Sequence, residues 1–215
     1  MTNPDAPGQV CVIDDDAEVR GSIGSLLRSS GFEVALFETP AEFLRTGVPT
    51  GASCLVLDIR LPGESGLDFQ ERLVAQGIDI PVILITGHGD IPMTVRGMKA
   101  GAIDFLPKPF ADEQLLAAVG TAIDADRARR AGAADSAQVA EYYARLTPRE
   151  RDVLSLVVTG LMNKQVAARL QLSEITVKIH RGNVMRKMEA QSLADLVRMA
   201  ELLGVRDDSI HRYNT

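Results

Sequence analysis

Five short apolar runs recur through the first half of the chain: QVCVID (9–14), FEVALF (32–37), SCLVLD (53–58), PVILIT (81–86) and AIDFL (102–106). Runs this short and this apolar suit strands buried on both faces of a sheet. The stretches between them carry a helical period instead. Val19, Ile23, Leu26 and Leu27 share one face of the first, and Leu115, Leu116, Val119 and Ile123 share one face of the helix after the fifth run. Parallel strands joined through helices take right-handed crossovers. Five such units therefore predict an α/β fold, a doubly wound five-stranded parallel sheet whose functional crevice lies outside the carboxyl ends of the strands.

A polar group stands at or just past four of those five ends. Asp14 closes the first run and Asp15 follows it, Asp58 closes the third, Thr86 closes the fourth, and Lys108 follows the fifth between Pro107 and Pro109. In the predicted sheet these five residues converge on one edge. Three crowded carboxylates repel one another unless a hard divalent cation such as Mg²⁺ neutralises them with oxygen ligands. Such a cation brings an anionic phosphoryl donor with it. One carboxylate can then attack as nucleophile to give an acyl phosphate, while an ammonium and a hydroxyl stabilise the phosphoryl oxygens. Taken singly, an aspartate after a strand is more often a helix N-cap, and Asp16 is expected to be one. The joint pattern is what points to phosphoryl chemistry. Phe105, on pattern alone, is a core aromatic.

Charge divides the chain. Residues 1–126 hold 8 Lys/Arg against 19 Asp/Glu, whereas residues 144–198 hold 10 against 5. A basic module within an acidic protein points to a polyanionic ligand for that module. Between the two runs a stretch rich in Ala and charge, with Gly132 and the Asp135–Ser136 pair as expected breakers, which predicts a partly helical linker. The second half then reads as helices separated by tight turns. Thr147 with Pro148 at N1 and Glu150 at N3 predicts a capping box, Gly160 ends that helix, and Ser173 caps a later one. Val153, Leu154, Val157 and Val158 supply one core face; Val166, Ala167 and Leu170 supply the next. After Ser173, Val177, Val184 and Met188 form an apolar stripe and leave Thr176, Lys178, Arg181 and Lys187 outward. A helix with one apolar stripe and a basic remainder fits the major groove of DNA. The expected organisation is 8–126, a linker over 127–143, and a helical domain over 144–208.

Other classes fit poorly. Cys11 and Cys54 fall inside strand runs as small hydrophobes, and His88, His180 and His211 have no metal-ligand spacing. No apolar run approaches the roughly 18 residues of a membrane span. The opening MTNPDAPGQ lacks the basic and apolar regions of a signal peptide, so a cytoplasmic location and no membrane partner are expected.

VIDDD, LVLDIRLPGESG and ITGHGDIPMTVRGMKAGAIDFLPKPF together resemble the receiver domain of two-component response regulators, a flavodoxin-like fold. The resemblance implies Asp58 as phosphoacceptor, with Asp14, Asp15, Asp58 and the main-chain carbonyl of Arg60 holding Mg²⁺. It also implies Thr86 as switch hydroxyl, Lys108 as phosphate-binding lysine, Phe105 as aromatic switch and a cis Lys108–Pro109 bond. Residues 146–188 resemble the LuxR-type helix-turn-helix through LTPRE, NK, TVK, H, N and K at matching positions. That likeness adds Asn163, Lys164, Ser173, His180 and Asn183 to Thr176, Lys178, Arg181 and Lys187 as candidate DNA contacts. The whole chain thus resembles the FixJ/NarL regulators and leans to the FixJ branch. Two positions depart from that pattern: Ile175 stands where many relatives place a polar or basic residue, and Gly182 lies within the recognition helix. The resemblance implies a transcriptional regulator, not an enzyme, phosphorylated by a sensor histidine kinase. It further implies a homodimer on phosphorylation, two half-sites of promoter DNA and contact with RNA polymerase. An unphosphorylated docking scaffold is the rival reading, disfavoured by the complete acidic and lysine set. A phosphohydrolase is disfavoured because Arg60, not a carboxylate, stands two residues after Asp58.

Overall fold

The computed structural model describes residues 8–51, 53–87 and 91–205. The chain divides into two compact units, Met1–Arg130 and Ala131–Thr215. The first unit alternates β1 (Gln9–Ile13), α1 (Ala17–Ser29), β2 (Glu33–Phe37), α2 (Pro40–Thr46), β3 (Ser53–Asp58), α3 (Gly66–Ala75), β4 (Val82–Thr86), α4 (Ile91–Lys99), β5 (Asp104–Pro107) and the first part of α5 (Asp112–Ala144). All strands pair in parallel, in the order β2-β1-β3-β4-β5.

Successive strand residues point to opposite faces, so each central strand feeds two cores. Cys11, Ile13, Leu55, Leu57 and Leu84 pack with Phe43 of α2 and Leu67, Phe69 and Leu73 of α3. Val10, Val12, Cys54, Val56, Ile83 and Ile85 pack with Ile23 and Leu27 of α1 and Leu115, Val119 and Ile123 of α5. Burial on both faces holds for β3 and β4, which are buried throughout, and nearly for β1. It does not hold for β2 and β5, because these lie at the two edges of the sheet. The fifth strand also begins two residues later than the apolar run: Gly101, at φ +88°, turns the chain out of α4, and Ala102 packs in the core before pairing starts.

α5 corrects the expected breaks, since it runs without interruption through Gly132 and the Asp135–Ser136 pair. A single helical glycine costs about 1 kcal/mol relative to alanine, and the surrounding alanines and arginines are among the best helix formers. In the first unit, buried Asp126 of α5 accepts a hydrogen bond from the Ser53 amide at 2.9 Å and pairs with Arg129 and Arg130. These partners outweigh the cost of burial and hold its carboxyl below the ordinary value.

In the second unit the end of α5 is followed by α6 (Pro148–Val157), α7 (Asn163–Leu170), α8 (Glu174–Lys187) and α9 (Leu193–Leu202). The capping box at α6 is complete: Thr147 Oγ1 accepts from the Glu150 amide, and Glu150 Oε2 accepts from the Thr147 amide at 2.8 Å. Ser173 caps α8 by accepting from the Thr176 amide at 3.0 Å. Val153, Leu154, Val157, Val166, Val177, Val184 and Met188 form the core, joined by Leu196 and Ala200 of α9. Val139 of α5 is buried in the same cluster, and Tyr142 and Tyr143 pack against it. Part of the stretch 127–143 therefore contributes to the helical core. Residues 206–208, at the end of the expected helical domain, lie outside the described residues.

Candidate functional site

In the first unit β1 leads to β2 on one side and lies beside β3 on the other, so the strand order reverses between β1 and β3. That reversal opens a crevice at the carboxyl ends of the strands. Asp14 and Asp58 stand on its two sides, 1% and 4% exposed. Lys108 reaches across from the end of β5. Its Nζ donates to Asp14 Oδ2 and to Asp58 Oδ1, each at 2.7 Å. The lysine backbone is fixed as well, since its amide donates to the Thr86 carbonyl at 2.7 Å and its bond to Pro109 is cis. Thr86 is fully buried at the end of β4.

The remaining carboxylate oxygens are also occupied. Asp14 Oδ1 accepts from the Asp16 amide at 2.9 Å, and Asp58 Oδ2 accepts from the Arg60 amide at 2.7 Å. Arg60 main chain therefore lies directly against Asp58. Asp16 itself caps α1 through the Glu18 and Val19 amides. Burial pushes the Asp14 carboxyl up despite Lys108. For Lys108, burial opposes the charge, but the two carboxylates outweigh it and hold the ammonium above its ordinary value. One cation thus serves two carboxylates whose oxygens cannot turn to water.

Of the three carboxylates expected at this edge, Asp14 and Asp58 meet at Lys108, and Asp15 stands beside that pair rather than in it. Asp15 is exposed, because the chain leaves the sheet after Asp14, and it lines an open depression of about 570 Å³ with Arg60, Pro62, Glu64 and Ser65. Among the described residues no three Asp, Glu, His or Cys side chains are grouped to hold a metal by themselves. Phe105 is half-buried on β5 and packs against the core, so it belongs to the strand rather than to the polar group. His88 and Asp90 lie outside the described residues.

Two supports were not legible in the sequence. Arg20 of α1 donates to the Asp14 carbonyl at 2.5 Å. Gly66, at the start of α3, sits so close that a Cβ there would stand 2.2 Å from the Asp58 carbonyl oxygen. Both depend on tertiary approach, which no local pattern encodes.

In the second unit Lys164, Ser173 and Lys178 are exposed. Asn163, Thr176, His180, Arg181 and Asn183 are half-buried. Arg181 Nη1 donates to Asn163 Oδ1 at 3.1 Å, tying α8 to the start of α7, and Asn183 Oδ1 accepts from Arg186 at 3.2 Å. The Thr176 and Ser173 hydroxyls lie 2.7 Å apart within the cap. His180 Nδ1 is buried without a hydrogen-bond partner among the described residues. Lys187 departs from its expected outward role. Its Nζ donates to Glu150 Oε2 at 2.7 Å, and the Glu150 side chain is only 4% exposed. Burial opposes the Glu150 charge, but Lys187 and the Thr147 amide outweigh it and hold the carboxyl below its ordinary value. The helical period places Lys187 on the flank of the apolar stripe, where a buried carboxylate claims it.

Residues 10–120 match the model of the response regulator receiver domain, and residues 144–200 match that of bacterial regulatory proteins of the luxR family. The chain belongs to the response regulators. It joins a receiver domain to a LuxR-type DNA-binding domain, the make of transcriptional regulators of two-component systems. Nodulation protein W of Bradyrhizobium diazoefficiens is 57% identical over 196 residues, covering 91% of this chain and 86% of that protein. The transcriptional regulatory protein FixJ of Azorhizobium caulinodans is 48% identical over 198 residues, covering 91% and 93%. The solved structure of the response regulator StyR matches with a TM-score of 0.81 at 48% identity, over 91% of this chain and 99% of that one. Among the described residues no helix is long and apolar enough to cross a membrane.

Proposed function

We propose that Asp58 accepts a phosphoryl group from a sensor histidine kinase and that this modification controls DNA binding by the second unit. The observation that carries the reading is the Lys108 ammonium held 2.7 Å from both Asp14 and Asp58 at the switch point of the sheet. An Asp58 oxygen attacks phosphorus, an O–P bond forms as the P–N bond of the kinase phosphohistidine breaks, and the imidazole leaves and takes up a proton. The acyl phosphate adds negative charge where Asp58 had one. Lys108 then turns from Asp58 oxygen to phosphoryl oxygen, and the Thr86 hydroxyl is drawn to the same group.

Receiver domains typically bind Mg²⁺ at the phosphorylation site. The residues present fit it. Asp14, Asp15 and Asp58 offer hard oxygens, Lys108 offsets one of their three charges, and the excess of two equals the charge of one dication. Asp14, Asp15, Asp58 and the Arg60 carbonyl would hold it. When bound, it would offset carboxylate repulsion toward the incoming phosphoryl group.

The movement of Thr86 and Lys108 shifts the population of the face that carries β5 and Phe105. A homodimer formed on that shift presents two α8 helices to two half-sites of promoter DNA, where the regulator meets RNA polymerase in the cytoplasm. Lys164, Lys178 and Arg181 supply its basic contacts. The test is phosphoryl incorporation from acetyl phosphate into the full chain. The expected result is one Mg²⁺-dependent phosphoryl group, absent from Asp58→Asn. Unchanged incorporation in Asp58→Asn, or in excess chelator, overturns the reading.

A further inference from the structure

α8 turns two β-branched aliphatic side chains outward, Ile175 at 74% exposure and Ile179 at 60%. Neither is needed for the core, which α8 already serves through Val177 and Val184, with Met188 at its C-cap. β-branched residues are also mediocre helix formers, so the pair does not stand there for helicity. Four residues apart, the two side chains lie one above the other on the same face. Gly182 continues that stripe one turn on, and nothing lies within 4 Å of where its Cβ would stand. The stripe is therefore apolar at its start and bare at its end.

Its surroundings are basic. Lys178 stands beside it on α8, and Arg186 follows it one turn after Gly182, both exposed. An occupant must meet cations at the rim and isoleucines within. An apolar protein surface answers only the isoleucines. The major groove of DNA answers both, since phosphates line its edges and the thymine 5-methyl group is the apolar feature of its floor. Ile175 lies in the first turn of α8, and it is the N-terminal residues of a recognition helix that reach base edges.

We infer that Ile175 and Ile179 read thymine methyl groups, so that each half-site carries T·A pairs at the two positions they face. This rests on the reading of α8 as the DNA-contacting helix. Four residues of helix rise about 6 Å and base pairs rise about 3.4 Å, so the two thymines stand about two base pairs apart. Gly182 lets the next turn of α8 lie close to the duplex.

The test uses the full chain treated with acetyl phosphate and Mg²⁺, and a duplex that it enriches from a randomised library. Each thymine of that duplex is replaced in turn by deoxyuridine, which removes the methyl group and keeps every hydrogen-bonding group. Two positions per half-site are expected to weaken binding about three- to fivefold each, the scale of one buried methyl. Ile175→Ala is expected to abolish the effect at one of them and Ile179→Ala at the other. Both side chains are exposed, so unchanged tyrosine fluorescence confirms that the variants fold. Deoxyuridine without effect on the unsubstituted protein, or an equal effect in the alanine variants, overturns the inference while leaving DNA binding intact. Failure to enrich any duplex overturns the DNA-contact reading itself.

Discussion

Replacing Gly182 by alanine separates what α8 needs as a helix from what it needs as a reading surface. In a helix interior glycine costs about 1 kcal/mol relative to alanine through backbone entropy. Usually part of that gain is lost when the new methyl meets a neighbour, but here the Cβ enters open space. Gly182→Ala should therefore stabilise the second unit by nearly the full amount, about 0.5–1 kcal/mol, which raises the unfolding midpoint of a domain this size by roughly 2–8 °C. The protein provides a selective probe. It has no tryptophan, and its three tyrosines, Tyr142, Tyr143 and Tyr213, all fall in the second unit. Tyr142 donates to Glu189 and lies under Arg145, while Tyr143 lies under Arg151, so tyrosine fluorescence responds when this unit unfolds. The same variant should bind DNA more weakly, by severalfold, because the methyl stands where the duplex approaches. A lower or unchanged midpoint refutes the account of α8 as a regular helix with open space at Gly182. A raised midpoint with unchanged affinity refutes the role assigned to the bare position.

Lys187→Ala leaves buried Glu150 without its cation, and the second unit should lose about 1–3 kcal/mol, less than a fully buried pair because Lys187 keeps 27% exposure; urea unfolding read by tyrosine fluorescence measures it. Glu150 is held below its ordinary value of 4.5, so the stability it contributes is present above about pH 4.5 and is lost as pH falls through the depressed value. The urea midpoint of the second unit should fall across that acid range, and Glu150→Gln should flatten the fall. Gly66→Ala drives a Cβ into the Asp58 carbonyl at 2.2 Å and the Ile59 Cα at 2.9 Å, both backbone, so the receiver should lose about 1–3 kcal/mol by circular dichroism and incorporate phosphate more slowly. Asp15→Ala should abolish phosphorylation by acetyl phosphate if exposed Asp15 completes the Mg²⁺ set, and retained incorporation removes it from that set.

The sheet was legible because the runs of β1, β3 and β4 feed two cores at once, and only a central parallel strand asks that of every residue in turn. The edge strands β2 and β5 were read as equally buried, since strand order is a property of crossovers rather than of any one run. Asp14, Asp58, Thr86 and Lys108 were legible for the same reason: a parallel sheet sends every strand end to one side. Asp15 was expected beside them; one residue past the strand it is exposed, on the depression that Arg60 also lines. Gly132 failed as a breaker because a local cost of about 1 kcal/mol is small against a run of alanines and arginines. Lys187 was read as outward because periodicity assigns a face and cannot see the buried carboxylate of Glu150 that draws it inward. Arg20 and Gly66 act through contacts between separate elements, beyond the reach of pattern.

The central claim is that the state of Asp58 sets the DNA affinity of α8. One titration tests it most directly: a duplex with two half-sites, bound by the full chain with and without acetyl phosphate and Mg²⁺, and by Asp58→Asn treated identically. The account predicts that phosphorylation tightens binding and raises the sedimentation coefficient to that of a dimer, while Asp58→Asn stays at the untreated affinity as a monomer. Equal affinity in all three samples, with Asp58 shown to be phosphorylated in the treated one, contradicts it.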